Sequence, residues 1–320
     1  MTINLSELAH IKVVVHNAEE AYQILSNIFS AEKLKEDFVN SYIKVVYVGI
    51  GDFILQYIEP IAEEGPWYDH LQTKGPGVHS LAYCVENIKE AVEELEKQGE
   101  IVPLLSMDEE KGRFPTEFLN PKIKTDYIMN TMENIGFHLE LGEKPSDIEL
   151  TSPKTQYVTG RDNLIGDAST MLHIELVTHN GEKTYEFLHK IFGSKIVEKE
   201  FCSLINSDVM PIVHVNLSNV VLQYCQPSPQ MGTWANILKN NGSFIHNLNF
   251  LVDDIEKTVA KYKEEKIRRI FKQKLPGAET HYYMMNSLNK LGFHMEHGET
   301  PDIPLPPGFF FTEYKKESKK

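Results

Sequence analysis

The sequence predicts an α+β protein in which one domain, itself built from two βαβββ units, occurs twice in tandem. Two observations predict this fold class. Four segments of the first half recur in the same order in the second half, and each half mixes short apolar runs with runs of helical periodicity. The matching segments are 8–29 with 172–193, 53–60 with 220–227, 65–88 with 232–255, and 126–147 with 282–302.

The matching segments also define the domain organisation. We expect a first domain over residues 1–145 and a second over residues 170–302, because the similarity ends near these positions. The stretch 146–169 is polar and contains proline and glycine, which is typical of a linker. The last residues, 303–320, end in a run of lysines and are expected to form a solvated tail.

Local patterns predict the first unit of the first domain. Residues 10–16 are short, apolar and rich in β-branched side chains, which favours a strand. Asn17 is a good helix N-cap, and apolar residues recur at helical spacing after it over 18–31. Two strands joined by a glycine-containing turn follow near 41–49 and 52–58.

The second unit of the first domain repeats this order. Residues 78–85 form an apolar strand, and Asn87 caps a helix that ends at Gly99. Further strands are expected near 125–130 and 136–142. Because the second half repeats the pattern, four βαβββ units are expected in the chain.

Composition excludes several classes of function. The 320 residues carry 46 acids and 32 bases, and this net charge of −14 argues against binding to nucleic acid. No run of about 20 apolar residues predicts a membrane span, and the first residues do not resemble a secretory signal. The three cysteines, Cys84, Cys202 and Cys225, are widely spaced, so a reduced, cytoplasmic protein is expected.

Polar residues interrupt the apolar strands at matching positions in both copies. Each copy has two histidines, one glutamine and one glutamate in this arrangement, and such nitrogen and oxygen donors suit a divalent metal. The alternative is that each is a buried polar residue with ordinary hydrogen bonds, but recurrence of the same four types favours a metal. The two candidate quartets are His10, Gln56, His79 and Glu140, and His173, Gln223, His246 and Glu296.

These quartets and their order along the chain resemble the vicinal oxygen chelate superfamily, which includes glyoxalases, bleomycin-resistance proteins and dioxygenases. The resemblance covers nearly the whole chain except linker and tail, and each copy is most similar to methylmalonyl-CoA epimerase. It implies that paired βαβββ modules form a cup-shaped mixed sheet that holds one divalent metal, and that the quartets are its ligands. The metal would be Mn, Fe, Co, Ni, Zn or Mg.

The resemblance implies a metal-dependent isomerase, epimerase or lyase that moves a proton on a small oxygen-chelating substrate, an oxo acid or an acyl thioester. One alternative is an Fe(II)-dependent ring-cleaving dioxygenase, which would need open positions for O₂ and substrate. Another is a non-catalytic protein that binds or sequesters a small molecule. Retention of both quartets favours an enzyme over a pure binder.

Proton transfer requires acid/base groups beside the reacting carbon. The resemblance places one carboxylate on the last strand of each copy, at Glu140 and Glu296. Some family members carry the second on a middle strand, but residues 42–48 and 211–217 contain none. Strand alternation puts His138 and His294 on the same face as these glutamates, so they are the further catalytic candidates, or else residues of the pocket wall.

Two expectations concern the chain as a whole. Because both copies keep the quartet, the sequence predicts two metal sites per chain. Because the tandem pairs two domains internally, the chain is expected to be a monomer with an internal pseudo-dimer, or a homodimer. The tryptophans Trp67 and Trp234 occupy matching positions, where each is either a wall over the substrate or an anchor for its loop.

Overall fold

Two mixed β-sheets, one from each half of the chain, form the framework of the protein. The structure, a computed structural model, describes residues 2–34, 38–99, 101–106, 127–143, 171–197, 210–229, 232–274 and 281–299. The predicted linker at 146–169 and tail at 303–320 lie outside the described residues, so the predicted domain boundaries remain predictions.

The first sheet contains nine strands in the order β2-β4-β5-β1-β6-β9-β8-β7, with β3 beside β4. The elements of this half are β1 (His10–Val14), α1 (Ala18–Phe29), β2 (Glu32–Lys33), β3 (Phe38–Val39), β4 (Ile43–Ile50), β5 (Phe53–Pro60), α2 (Pro66–Lys74), β6 (Gly77–Val85), α3 (Ile88–Gly99), β7 (Pro103–Ser106), β8 (Tyr127–Met129), α4 (Met132–Ile135) and β9 (His138–Glu143).

The second sheet repeats this topology with eight strands in the order β11-β12-β13-β10-β14-β17-β16-β15. The elements of this half are β10 (Met171–Val177), α5 (Gly181–Phe192), β11 (Ile196–Val197), β12 (Ile212–Leu217), β13 (Val220–Cys225), α6 (Thr233–Asn241), β14 (Phe244–Val252), α7 (Ile255–Glu264), β15 (Arg269–Lys274), β16 (His281–Met285), α8 (Leu288–Leu291) and β17 (His294–Glu299).

Each sheet consists of two units that meet at its centre. In the first sheet β1 and β6 pair antiparallel, while β1 is parallel to β5 and β6 is parallel to β9. The same relations hold for β10, β14, β13 and β17 in the second sheet. The predicted α+β class, with paired βαβββ modules in two copies, is therefore confirmed.

Side-chain caps fix where the first helix of each copy begins, as the sequence predicts for Asn17. The Asn17 Oδ1 accepts a hydrogen bond of 2.9 Å from the Glu20 backbone N–H, and the Asn180 Oδ1 accepts one of 2.9 Å from Lys183. Both caps satisfy a backbone donor that the helix itself leaves unpaired. Each strand before a helix therefore ends at the same place in both copies.

Strand alternation divides each sheet into a helix face and a site face. On the helix face of the first sheet, Ile11 and Val13 pack with residues of α1 such as Leu25. The helix faces of both sheets belong to one continuous core, which includes Leu176 and Phe293 from the second half. On the site face, a smaller apolar cluster surrounds Trp67. The two halves are thus joined through their helix faces.

Close backbone packing joins the two halves. A Cβ built on Gly292 would lie 2.3 Å from the Val13 Cγ1, and one on Gly136 would lie 3.2 Å from the Leu176 Cδ2. Each glycine thus sits against the first strand of the other half. Both have a positive φ (78° and 84°), which glycine adopts without steric cost. The seam between the halves therefore leaves no room for a side chain at Gly292 and little at Gly136.

None of the helices in the described ranges is long and apolar enough to span a bilayer. Cys84 and Cys225 form no disulfide within those ranges, and Cys202 lies outside them.

Candidate metal centre

A row of polar side chains crosses the site face of each sheet, because residues paired in register point to the same side. In both halves the residue at the centre of the row, Lys12 or Glu175, lies between a glutamine and a small polar residue. The rows, in order across the strands, are Tyr47, Gln56, Lys12, Ser80 and His138, and His214, Gln223, Glu175, Asn247 and His294.

A second, shorter row lies one alternation further along each sheet. His10 faces Ala82, which in turn faces Glu140, and His173 faces Asn249, which faces Glu296. The two rows together bring the predicted His, Gln and Glu residues to one face. The residues of the two rows in the first half, together with one further histidine, form what we call the first cup. Their counterparts in the second half, with the matching histidine, form the second cup.

β-Bulges supply the remaining histidine of each cup. The register of β6 against β1 shifts between Lys12 and Val13, which leaves His79 as the extra residue. The register of β14 against β10 shifts between Glu175 and Leu176, which leaves His246 as the extra residue. A bulge re-aims the side chain of the extra residue. The His246 Nε2 lies 3.1 Å from the Glu175 Oε1, and the His79 ring lies beside that of His138, with centroids 4.6 Å apart.

In the first cup, Lys12 forms a buried ion pair with Glu140. Its Nζ lies 2.6 Å from the Glu140 Oε2, which also accepts a hydrogen bond of 3.1 Å from the Ser80 hydroxyl. The His10 Nε2 lies 3.4 Å from the other carboxylate oxygen, Oε1. The ammonium also stands over the Trp67 ring, 5.1 Å from its centroid. The Glu140 carboxylate therefore has charged or polar neighbours at both oxygens.

Electrostatics keep this carboxylate ionised. Burial would raise the pKa of Glu140, but the Lys12 ammonium and His10 outweigh burial and hold that pKa well below its usual range. The neighbouring imidazoles are instead kept in their neutral form. Burial and neighbouring His138 lower the pKa of His79, and burial lowers the pKa of His138 to about 4. Lys12 and Glu140 are thus the charged pair, and these two histidines are neutral near pH 7.

Aromatic contacts position the bulge histidines. The Trp67 ring in α2 contacts the His79 ring with centroids 4.6 Å apart, and Trp234 in α6 contacts His246 at 4.2 Å. Trp67 is 1% exposed, which matches an anchor more closely than a wall over a substrate. In both halves a helix, α2 after β5 or α6 after β13, therefore holds a candidate ligand in place.

The second cup lacks the lysine and has a carboxylate instead. The Glu175 Oε1 lies 3.1 Å from the His246 Nε2, and the Glu296 Oε2 lies 3.7 Å from the His173 Nε2. The candidate ligand atoms of His173, Glu175 and Glu296 all lie within 4.8 Å of one another. Three donors of the types that bind divalent metals therefore converge here, with His246 beside them.

One amide bridges the two carboxylates of the second cup. The Asn247 Nδ2 donates hydrogen bonds of 2.6 Å to the Glu175 Oε2 and 3.1 Å to the Glu296 Oε2. The Cys225 thiol donates to the Glu175 Oε1 at 3.2 Å. Burial raises the pKa of Glu175, but the charge of His246 and its hydrogen bond outweigh burial and bring that pKa down to about 2. Both ionisation and position of Glu175 are thus set by its neighbours.

Hydrogen bonds also orient the glutamines. The Gln56 Nε2 donates to the Tyr47 hydroxyl, and the Gln223 Nε2 donates to the His214 Nε2 at 2.7 Å. The Gln56 Oε1 is buried and has no hydrogen-bond partner among the described residues. Each amide nitrogen is therefore held by the neighbouring strand. The amide oxygen of Gln56 is left to bind a ligand, whereas that of Gln223 has the Cys225 thiol as a donor at 3.9 Å.

His294 is oriented in the same way beside the second cup. Its Nδ1–H donates to the Met285 carbonyl oxygen at 3.2 Å, which leaves the Nε2 lone pair as the reactive position. Burial and neighbouring His246 lower the pKa of His294 to about 4, although the Met285 bond opposes them. His294 is therefore a neutral imidazole near pH 7.

The residues of the second cup fit a divalent metal. Glu175 and Glu296 are two carboxylates close together, and among the described residues no lysine or arginine forms an ion pair with either. The His173 Nε2 has no hydrogen-bond partner in the described part of the chain. A cation would reduce the repulsion between the two carboxylates and would give the His173 Nε2 a partner. In the first cup the donors do not fit a metal in the same way, because the Lys12 ammonium already lies at the carboxylate.

The central residues of both cups were missed from the sequence, although a signal was present. Lys12 lies two residues after His10 and Glu175 two residues after His173, each in an apolar strand. Period-two alternation, which identified His138 and His294, would have placed both on the site face. The ligand roles of the two predicted quartets, and the catalytic roles of Glu140, Glu296, His138 and His294, remain predictions.

Comparisons with known proteins agree with this architecture. Residues 9–114 match the family model of the Glyoxalase/Bleomycin resistance protein/Dioxygenase superfamily. Human mitochondrial methylmalonyl-CoA epimerase is 29% identical over 123 residues, which are 37% of this chain and 69% of that protein. An uncharacterised Bacillus subtilis (strain 168) protein, YqjC, is 27% identical over 144 residues, 45% of this chain and 96% of its own length.

A whole-chain likeness extends the comparison to the fold of both halves. A mutant of 4-hydroxymandelate synthase from Streptomyces coelicolor superposes with a TM-score of 0.60 at 14% identity, covering 92% of each chain. At this identity the likeness concerns fold alone. The chain thus carries a domain of the Glyoxalase/Bleomycin resistance protein/Dioxygenase superfamily over residues 9–114, followed by a second sheet of the same topology.

Proposed function

We propose that this protein is a divalent-metal-dependent enzyme whose second cup moves a proton beside a carbonyl group of a small oxygen-chelating substrate, an oxo acid or an acyl thioester. The observation that carries the proposal is the convergence of His173, Glu175 and Glu296 within 4.8 Å. Enzyme relatives of the superfamily, including methylmalonyl-CoA epimerase, support an isomerase, epimerase or lyase reaction.

His173, Glu175 and Glu296 would hold the metal, with His246 and the amide oxygen of Gln223 as further donors. A bound divalent metal would act as a Lewis acid on the substrate carbonyl and lower the cost of an enolate. Asn247 fixes both carboxylates in one geometry, since its amide donates to each of them. Carboxylate and amide oxygens suit Mg and Mn, and imidazole nitrogens suit Fe, Ni and Zn, so a mixed set of this kind keeps Mn, Fe, Co, Ni, Zn and Mg as the candidate metals.

His294 would carry the proton. Its Nδ1–H is held by the Met285 carbonyl, so Nε2 accepts a proton from the substrate carbon and returns it. The register pairs His294 with Asn247, which places it next to the amide that bridges the carboxylates. A carboxylate that binds the metal and an imidazole that moves the proton would together replace the missing carboxylate of the middle strand.

A ring-cleaving Fe(II) dioxygenase is the second candidate. His173, His246 and Glu296 supply two imidazoles and one carboxylate, the set typical of non-haem iron oxygenases. Uptake of O₂ with a catechol after loading with Fe(II) would favour this activity over proton transfer. Binding of small molecules without turnover would favour a sequestering protein.

The test is exchange of substrate protons with solvent deuterium, measured by mass spectrometry across a panel of oxo acids and acyl-CoA thioesters. We expect exchange by metal-loaded protein and none after EDTA treatment. His294→Gln should retain the metal but lose roughly 10²–10⁴-fold in exchange rate, because it removes only the proton carrier. Glu175→Gln should lose both metal and exchange.

Glu182→Gln is the matched control, because Glu182 is an exposed glutamate of the same half and should leave both measurements unchanged. Full exchange by His294→Gln would contradict the role of His294. Exchange that persists without metal would contradict the proposal itself.

We also propose a monomer, supported by the core that the two halves share, and light scattering checks this assembly.

A further inference from the structure

The central position of each cup carries opposite charges in the two halves. Lys12 and Glu175 occupy equivalent positions, as both lie two residues after the first histidine and pair with a glutamine in register. The other charged member of each cup, Glu140 or Glu296, is the same. The first cup therefore combines one ammonium with one carboxylate, whereas the second combines two carboxylates.

The ammonium of Lys12 occupies the place where a cation would bind Glu140. Lys12 is 3% exposed and Glu140 is 1% exposed, so neither charge can be left without its partner at low cost. The 2.6 Å contact between them is at the short end of charge-assisted hydrogen bonds. A divalent metal would have to enter beside this fixed positive charge, and like charges at such distances repel strongly in a buried site.

The second cup presents the reverse situation. Glu175 and Glu296 share one amide donor from Asn247, and within the described ranges no lysine or arginine neutralises either carboxylate. Two carboxylates held this close repel each other, and a cation between them relieves the repulsion. A divalent metal would be such a cation and would use the His173 Nε2, which has no hydrogen-bond partner among the described residues.

We propose that the residue at position 12 or 175 decides which cup binds metal: Lys12 makes the first cup metal-free, and Glu175 makes the second cup the single metal site of the chain. This inference rests on the proposed function in requiring that the second cup bind metal. It departs from the expectation of two metal sites, because Glu140 of the first quartet is already paired with the ammonium group of Lys12.

The test is reciprocal exchange of these two residues in the full-length chain, with Mn²⁺ as the probe. Protein stripped with EDTA is titrated with Mn²⁺, and free Mn²⁺ is followed by electron paramagnetic resonance. We expect one equivalent for the unmodified chain. Glu175→Lys, which copies the first cup, should weaken binding by at least about 100-fold. Lys12→Glu, which copies the second cup, should raise the count to two.

Substitutions of the bulge histidines locate the bound ion. In the unmodified chain, His246→Ala should weaken Mn²⁺ binding and His79→Ala should not. In the double variant Lys12→Glu/Glu175→Lys the effects of these two substitutions should be reversed. Glu182→Lys and Lys89→Glu make the same charge changes at exposed positions and should keep one equivalent. Circular dichroism establishes that each variant folds. If Lys12→Glu does not fold, the single histidine substitutions in the unmodified chain still test the inference.

Two different outcomes separate this inference from the proposed function. Two equivalents in the unmodified chain, or one equivalent that depends on His79, would overturn the inference and leave a metal-dependent enzyme standing. No binding by the unmodified chain would overturn both. One equivalent that depends on His246 and Glu175 supports both.

Discussion

Lys12→Met should lower the free energy of unfolding by about 3–5 kcal/mol, measured by chemical denaturation at pH 7 in EDTA. The substitution keeps the length of the aliphatic chain but removes the ammonium that lies 2.6 Å from the Glu140 carboxylate. Glu140 is then a buried charge whose neighbours are a hydroxyl and an imidazole. The loss comes mainly from this stranded carboxylate, because a buried ion pair itself adds little net stability.

Two further variants test this explanation. Adding Glu140→Gln to Lys12→Met should restore most of the lost stability, since the double variant contains no buried charge at the site. Lys33→Met is the matched control, because Lys33 forms an ion pair of 2.8 Å with Glu19 that is only partly buried, and this variant should lose at most about 1 kcal/mol. Equal losses for Lys12→Met and Lys33→Met would contradict the assignment of a buried, structurally required pair.

Gly292→Ala should lower the free energy of unfolding by about 2–5 kcal/mol, since two effects add. A non-glycine residue at φ 78° costs roughly 1–2 kcal/mol. The new Cβ would also lie 2.3 Å from the Val13 Cγ1 and 3.4 Å from the Gly77 backbone nitrogen, and such overpacking typically costs about 1–3 kcal/mol. Urea denaturation measures the sum.

Gly193→Ala separates the two effects. Gly193 also ends a helix in the left-handed conformation, at φ 67°, but its Cβ would meet only the end of the Thr2 side chain, at 3.2 Å. The equivalent position of the first half already holds Ser30 at φ 55°, so a side chain is tolerated there. We expect a loss of about 1 kcal/mol for Gly193→Ala. If both alanine variants lost the same amount, close packing at the seam would not be the cause.

Internal repetition made the fold predictable, because each segment supported the interpretation of its counterpart. The strands around His10, His79 and Glu140 and the helix after Asn17 lie where their patterns predict. Short elements were not predicted, among them the two-residue strands and the one-turn helices α4 and α8. Such elements have too few residues for a periodic pattern to be recognised in the sequence, and tertiary packing determines whether they form.

The candidate site was harder to predict than the fold. Alternation along one strand is visible in sequence, but the neighbours of a residue across strands depend on register and bulges. The bulges that make His79 and His246 the extra residues of their strands leave no mark in composition. The resemblance also implies a second carboxylate on a middle strand, whereas Glu175 lies on the first strand of its copy.

Covalent joining of the two halves has a consequence for how the cups can differ. In a dimer of identical chains every substitution enters both subunits at once, so equivalent positions must carry the same residue. Here the halves share one core yet are encoded separately, which lets Lys12 and Glu175 occupy equivalent positions with opposite charge. Fusion thus removes the constraint of symmetry: one cup can change its chemistry while the other keeps it, and the seam that holds them together is unaffected.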